Sequence, residues 1–353
     1  MNKWIITSDD YWVNKWDQFL FNSSQAVFLQ SSQRVKSYGS YGAKAELLLY
    51  VNSRQEIICG SANILVQFKF LRIYSCSFGP IVANDIFFND ELFREYISQF
   101  RDRGEELKAF SSEITTPVTN HPPSNKSFNE GQIFNKLPKY ELVNLISLKD
   151  SEDKYRSVET IIESFSKKAR RDVRASYRRG LSSRIVTQHD EIEKAYGCIE
   201  SNGTNKGYDV RSWGQFGHNV ITMIDKGHAC MLTAWLGDEI QGALLLERGG
   251  NVLNYTMGGV LRHKPDLNTG YFLQAEAIKQ AINLDMDFYN ISYYGPPEVM
   301  KFKKSFNPSL LQLGKSYYFV NNHVLYFLYK KLYGKFGKKV LSWLLKFSKG
   351  SKA

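Results

Sequence analysis

The side chains that could do chemistry in this sequence are bases rather than nucleophiles or metal ligands. Cys59, Cys76, Cys198 and Cys230 stand apart with no C-x-x-C spacing, the pattern of reduced, mostly buried thiols. The six histidines form no H-x-x-x-H pair and none adjoins a cysteine, so the sequence names no metal. What remains is lysine and arginine. Lys167, Lys168, Arg170, Arg171, Arg174, Arg178 and Arg179 crowd one predicted helix, Lys206 and Arg211 share one predicted loop, and Lys303 lies in KFKKSF. Such groups neutralise phosphates or the charge developing on a carbonyl oxygen under attack. Taken alone, Lys303 reads as one more solvated lysine. The 167–179 cluster points around its helix, so not all of it can meet one ligand. Part is solvated surface, and part could face an RNA backbone or anionic lipid. Gly270 is the single glycine of HKPDLNTGYFLQAEA, where a backbone turn at a helix start could bind an anion. Glu276 and Asp287 could be general bases or surface charges, and neither is assigned a role.

The formal charge is +11. Twelve lysines after Glu298, with no acidic residue among them, account for the excess, and residues 1–298 are close to neutral. Leu325, Leu328, Leu332, Phe336, Val340, Trp343, Leu344 and Phe347 recur at three- and four-residue steps, which predicts a basic amphipathic helix interrupted at Gly334 and Gly337. It is not a transmembrane span, because each lysine would cost about 2.5–3.5 kcal/mol near a bilayer centre but gain about 1 kcal/mol at an anionic surface. Its apolar stripe covers either a membrane surface or the protein itself, and the pattern allows both. The first thirty residues lack the form of a signal peptide. The expected location is cytoplasmic, peripheral at the inner membrane face if the tail binds lipid.

The elements needed to hold these residues follow from periodicity. Strands are predicted at AVFLQ, ELLLYV, EIICGSANILVQF, LRIYSCSFGPIV and AFSSEIT, with a helix over NDELFREYISQFRDRGEELK. The Pro-, Asn- and Ser-rich segment TPVTNHPPSNKSFNEGQIFNKLPKYE reads as a surface connection. YELVNLISL then opens a second unit, with one long helix from Ser157 to Arg179 ended by Gly180, four strands, a helix at YFLQAEAIKQAINLDM and a closing strand at FYNISY. Both halves run strand, Gly-small pair, strand, turn, strand and glycine, a weak internal repeat. The predicted organisation is a first α/β unit over 1–140, a second over 141–320 and the tail over 321–353.

Several strings resemble the FemAB-like branch of the GNAT acyltransferases. They are Phe28–Ser31 followed by Lys36, Phe78-Gly79-Pro80, the run from Ser164 to Gly180, and GPPEVMKFKKSF from Gly295 to Phe306. The chain differs at Ser305-Phe306 and at Asn290–Tyr293, and it lacks the long charged arm of some relatives. The resemblance implies tandem GNAT-like domains, mixed sheets flanked by helices, that move an aminoacyl or acyl group onto an amine of a peptidoglycan or surface-polysaccharide precursor. It places Phe302 and Lys303 near the reacting groups. Lys36 and Arg211, with Lys206 as a competitor, would bind the phosphates of a nucleotide- or lipid-linked acceptor. The donor would be aminoacyl-tRNA or acyl-CoA, with no tightly bound cofactor and no metal; the lone Gly270 argues mildly against coenzyme A in its usual place, although a backbone turn there could still bind an anion. An acyl-CoA-dependent amino-sugar transferase and a non-catalytic RNA- or membrane-binding protein are the alternatives.

Overall fold

The hydrophobic runs assemble into two mixed sheets in the computed structural model, which describes residues 2–23, 27–68, 70–83, 90–117, 123, 128–133, 141–207 and 209–331. First come β1 (Lys3–Thr7), α1 (Asp10–Phe21), a 3-10 turn (Phe28–Gln30), α2 (Ser32–Lys36), a second 3-10 turn (Ser37–Tyr41), β2 (Lys44–Val51), β3 (Ile57–Phe68), β4 (Leu71–Ser77), β5 (Ile81–Val82), α3 (Asp90–Glu106), β6 (Ser111–Pro117) and β7 (Asn129–Glu130). They are followed by β8 (Leu142–Ser147), α4 (Val158–Glu163), α5 (Lys167–Arg178), β9 (Ser182–Val186), α6 (His189–Lys206), α7 (Trp213–Asp225), β10 (Ala229–Leu236), β11 (Glu239–Gly249) and β12 (Val252–Val260). The described residues end with α8 (Thr269–Asn283), β13 (Phe288–Asn290), α9 (Pro297–Lys304), β14 (Ser309–Gln312), β15 (Gly314–Val320) and a helix over 323–331.

One sheet has the order β1-β2-β3-β4-β6-β15-β7, with β5 on β3, and the other β14-β8-β13-β12-β11-β10-β9. Each contains antiparallel hairpins followed by a strand, a helix and a parallel strand: β4–α3–β6 in the first, β12–α8–β13 in the second. The predicted repeat is therefore real at the level of topology. Strand periodicity puts alternate residues on opposite faces. Leu232, Leu244 and Leu246 meet Phe272, Leu273 and Ile278 of α8, whereas Met231, Ala243 and Leu245 meet α6 and α7 through Ile192, Ile199 and Phe216.

Three expectations are corrected. AVFLQ is no strand: Phe28–Gln30 is a 3-10 turn, because buried Gln30 is pinned between strands, accepting from Ala62 N at 2.7 Å and donating to the Ser77 carbonyl at 2.6 Å. The long helix from 157 to 179 is two helices. Ser166 caps α5 by accepting from Ala169 N, a role serine fills better than a helix interior, and the break lets Phe165 bury edge-on against Phe306 at 5.1 Å. Finally, the second sheet ends with β14, and β15 returns to the first sheet, paired from Gly314↔Pro117 to Val320↔Ser111. Of the predicted connection, β7 pairs with β15 and Phe128 and Ile133 are buried.

The tail is described only to residue 331. Leu325, Tyr326 and Tyr329 pack on Ile73, Phe110 and Ile133, while Val324, Phe327 and Leu328 stay exposed. Leu332 to Phe347 of the predicted stripe lie outside the described residues. Among the described residues no helix is long and apolar enough to cross a membrane.

The two sheets meet through a polar seam. Arg34 of α2 donates to Glu247 of β11 at 3.1 Å, with side chains only 9% and 2% exposed. Gly249, two residues on, lies so close to the Val27–Phe28 backbone that a Cβ there would stand 2.3 Å from Phe28 N. Arg34→Met would leave a buried carboxylate without its cation, which is expected to lower unfolding stability by about 3–5 kcal/mol; denaturant titration checks this, and a loss below about 1 kcal/mol would mean that the pair stabilises nothing.

Candidate functional site

The parallel pairing within the two sheets differs in length, and that difference makes a cleft. In the first sheet β4 and β6 stay paired from Ile73↔Ser111 to Ser77↔Thr115, the end of β4. In the second, β12 and β13 pair at only three positions, ending at Asn254↔Asn290. At that last rung Asn290 Nδ2 donates to Asn254 Oδ1 at 3.0 Å. The chain then turns away: Ser292 adopts a left-handed φ of 66°, with its N–H bonded to Asn290 Oδ1, and Ile291 N donates to the Asn144 carbonyl of β8. Among the described residues, no strand pairs with β12 beyond Asn254 on that side.

The opening is a cleft of about 270 Å³, bordered by Tyr255 and Gly258–Val260 of β12, Asn202 and Lys206 of α6, Thr269–Tyr271 of α8, and Glu298 and Phe302 of α9. Its floor admits no larger residue at Gly259, where a Cβ would stand 2.0 Å from the Cys198 carbonyl oxygen of α6. The N-terminus of α8 opens into it. No side chain caps that helix, so its first N–H groups, at Thr269 and Gly270, lack intrahelical acceptors. The Thr269 hydroxyl is buried with no hydrogen-bond partner. A helix end without a side-chain cap, its dipole and an orphan hydroxyl have the chemistry to receive an anionic group. Gly270 is not needed for space, since a Cβ there would make ordinary contact with Phe302 at 3.6 Å.

Of the sequence-predicted residues, Lys206, Gly270 and Phe302 all border this cleft. Lys303 sits behind it. Its side chain is 4% exposed, its Nζ donates to the Tyr294 carbonyl at 2.7 Å, and it lies 5.6 Å from the centre of the Tyr255 ring. Burial pulls its ammonium down to about 8 from the usual 10.5. Burial and nearby Arg262 also pull Lys206 down.

Arg211 lies elsewhere, at the seam, where it bonds to Ser37, the residue after Lys36. The Arg211 guanidinium lies 3.5 Å from the Phe216 ring centre and donates to the Ser37 carbonyl and hydroxyl at 3.0 and 3.1 Å. Lys36 immediately precedes Ser37 and is exposed, with a loose ion pair to Asp10 at 3.6 Å. Arg211 is buried, and burial followed by nearby Arg34 lowers its pKa. Lys206 and Arg211 are five positions apart, so their Cα atoms lie within about 18 Å of each other.

The carboxylates left open by sequence are structural. Glu276 accepts from Tyr177 Oη and Ser183 Oγ, both at 2.5 Å, and Asp287 pairs with Lys149 at 2.7 Å and accepts from Asn251. The cysteines are free, and burial raises all four, Cys76 to about 11 and Cys230 to about 12. No three His, Cys, Asp or Glu side chains converge on a metal position among the described residues. Sequence reasoning missed Thr269, Tyr255 and the Arg34–Glu247 pair; the Gly258–Gly259 doublet was the one local hint of a close approach.

No protein-family model matches the chain, and no curated protein matches it in sequence. Solved structures do. FemX matches with a TM-score of 0.75 at 13% identity, over 92% of this chain and 99% of that one. The C-terminal domain of an Agrobacterium fabrum protein assigned as a lysylphosphatidylglycerol synthetase matches at 0.56 and 10% identity, over 92% and 97%. L-PGS from Bacillus licheniformis matches at 0.52 and 10%, over 87% and 95%. The chain thus has the fold of FemX along nearly its whole length.

Because the folded pKa of Lys303 is depressed, the unfolded chain binds more protons between pH 8 and 10.5, and stability rises with pH across that window. Below pH 8 the buried ammonium lowers stability in full. Lys303→Met is expected to stabilise the protein by on the order of 2 kcal/mol at pH 7, a gain that disappears as pH rises to 10.5. Thermal unfolding at pH 7 and pH 10.5 checks this, and a pH-independent loss would instead show that the bond to Tyr294 dominates.

Proposed function

We propose that this chain, which has the fold of FemX, is an N-acyltransferase that moves an aminoacyl or acyl group onto an amine of a cell-envelope precursor. The observation that carries the proposal is the parting of β12 and β13 after Asn254 and Asn290, with the Lys303 amine buried beside the opening. The free edge of β12 can take an extended donor arm as an added strand, while Thr269 and Gly270 hold its phosphate. The name of the lysylphosphatidylglycerol synthetase among the similar structures is that of an enzyme joining a lysyl group to phosphatidylglycerol, which favours an envelope acceptor.

In the reaction the acceptor amine attacks the carbonyl carbon of an ester or thioester. A C–N bond forms, the C–O or C–S bond breaks, and the amine proton ends on the departing oxygen or sulfur. This chemistry asks mainly for positioning and for stabilisation of the oxyanion. The Lys303 ammonium would supply the second, and a pKa near 8 lets it exchange a proton at neutral pH. Phe302 would form the wall against which the donor packs. Lys36 and Arg211, with Lys206 between them and the cleft, would hold the pyrophosphate of a nucleotide- or lipid-linked acceptor. The donor is aminoacyl-tRNA or acyl-CoA, bound only during turnover. A cytoplasmic enzyme working at the inner membrane face, aided by its basic tail, fits such an acceptor.

The test is amide formation from a UDP-linked muramyl-peptide or amino-sugar precursor with charged tRNA or acetyl-CoA as donor. Lys303→Met is expected to lower kcat by at least about 100-fold with precursor affinity unchanged, and Lys36→Ala to weaken precursor binding by about 10-fold. Product from acetyl-CoA alone would assign the acyl-CoA reaction. No product from either donor together with no precursor binding would sink the proposal in favour of a non-catalytic binding protein.

A further inference from the structure

The helix over 323–331 has two apolar faces, and the fold uses one of them. Leu325, Tyr326 and Tyr329 pack on Ile73, Phe110 and Ile133 of the first unit. At about 100° per residue, Val324, Phe327 and Leu328 fall within an arc of about 100° on the other side. Val324 is 70% and Phe327 64% exposed. Phe70, in the turn between β3 and β4, is 66% exposed and borders one open groove together with Asn322 and Leu325 at the start of the helix. The patch is held firmly in place. Asn321 and Asn322 both donate their N–H groups to the Phe110 carbonyl, at 2.9 and 3.0 Å, Asn322 Oδ1 caps the helix by accepting from Leu325 N at 3.0 Å, and the Tyr329 ring lies 5.3 Å from that of Phe110. Large apolar side chains gathered in water on an anchored surface mark a docking site, unlike the single ones scattered over any protein.

The margin of the patch is basic. Arg72 and Lys108 line the same groove, and Lys330 and Lys331 are exposed on the helix itself. Arg72 donates to the Leu107 carbonyl at 3.2 Å, and Lys330 Nζ lies 5.5 Å from the centre of the Tyr326 ring. Among the described residues, no carboxylate lies within ion-pairing distance of these four bases; Glu106 is taken by Arg103, and Glu105 is the acidic residue of the groove. The sequence beyond residue 331 adds Lys335, Lys338, Lys339, Lys346, Lys349 and Lys352 and no acidic residue. A partner for this face must therefore be apolar at the centre and anionic at the margin. Lys331 decides between kinds of partner. It falls inside the apolar arc, four residues after Phe327 and three after Leu328, where the core of a protein interface is depleted of lysine. At a bilayer the same side chain can lay its stem along the apolar layer and keep its ammonium among the headgroups.

We infer that Phe70, Val324, Phe327 and Leu328 form a surface by which the first unit docks on an anionic phospholipid bilayer, while Arg72, Lys108, Lys330 and Lys331 meet the headgroup phosphates. Peripheral binding of this kind grows with the apolar area buried at the acyl boundary and with the attraction of the bases for anionic lipid, and the patch supplies both. Phe70 and the helix come from separate parts of the chain, so the contact has two points of attachment and fixes how the first unit faces the lipid. The inference goes beyond the transferase reading and does not depend on it, because vesicle binding is read without any acyl transfer.

The test is sedimentation of the full chain with vesicles of phosphatidylcholine alone and of phosphatidylcholine mixed equally with phosphatidylglycerol. Binding to the mixed vesicles is expected to be at least about 10-fold stronger than to the neutral ones. It should weaken as salt rises from about 0.01 to 0.15 M and the Debye length shrinks from about 30 to 8 Å. Phe70→Gln/Phe327→Gln, which leaves the core alone because both rings are exposed, is expected to lower partitioning by at least about 10-fold at either salt concentration. Lys330→Gln/Lys331→Gln should lower it by about 10-fold at low salt and much less at high salt. Phe327→Trp should keep the binding and gain blue-shifted emission quenched by brominated acyl chains, a signal that a merely structural ring would not give. Equal binding by the native protein and Phe70→Gln/Phe327→Gln would overturn the inference and leave any contact to charge alone. Failure of the native protein to bind the mixed vesicles would overturn it as well. Concentration-dependent dimerisation abolished by the double Phe variant, without vesicle binding, would overturn it in favour of a second copy of the chain.

Discussion

The hydrogen bond between the side chains of Asn254 and Asn290 marks the point on which the candidate site depends. Up to that rung β12 and β13 are an ordinary parallel pair; beyond it one strand continues and the other bends toward β8. A sheet edge opened inside a domain is costly unless something else takes up its backbone groups. The first unit avoids the problem by keeping β4 and β6 paired to the end of β4. The same topology, used twice, is closed in one half and open in the other. The closed half is then free to serve as the surface against which the open half is held.

That holding is polar. A buried Arg34–Glu247 pair, the Arg211 guanidinium bonded to Ser37, and the close backbone contact at Gly249 join the units. Buried ion pairs are poor sources of net stability but strict about geometry. They fix the seam where Lys36 and Arg211 lie, so the positions of these two residues relative to the cleft follow from contacts that neither makes directly with it.

Much of the fold was legible because strands and helices announce themselves by period. The two sheets, the strand–helix–strand units and the repeat all follow from alternation and turn residues. The resemblance singled out Phe302 and Lys303, whereas KFKKSF by itself looks like a solvated stretch, and the burial of Lys303 against the Tyr294 carbonyl was legible in neither. Local cues failed where a distant contact overrode them. Gln30 turned a β-rich string into a 3-10 turn by bonding two strands more than thirty residues away, and Phe165 broke a helix by burying against Phe306. The seam was illegible for a related reason: nothing near Arg34 in sequence indicates a carboxylate at 247.

The return of β15 to the first sheet sets an order of assembly during translation. Until Gly314–Val320 leaves the ribosome, β6 has a partner on one side only, and its other edge, Ser111–Pro117, is an open template for unwanted strand pairing. At about 5–20 residues per second, the roughly two hundred residues between these strands take about 10–40 seconds to synthesise. The second unit is complete through β14 before the first can close. The nascent chain must therefore protect an unfinished sheet while the second unit is being made, which makes residues 314–320 a late clasp for the N-terminal half.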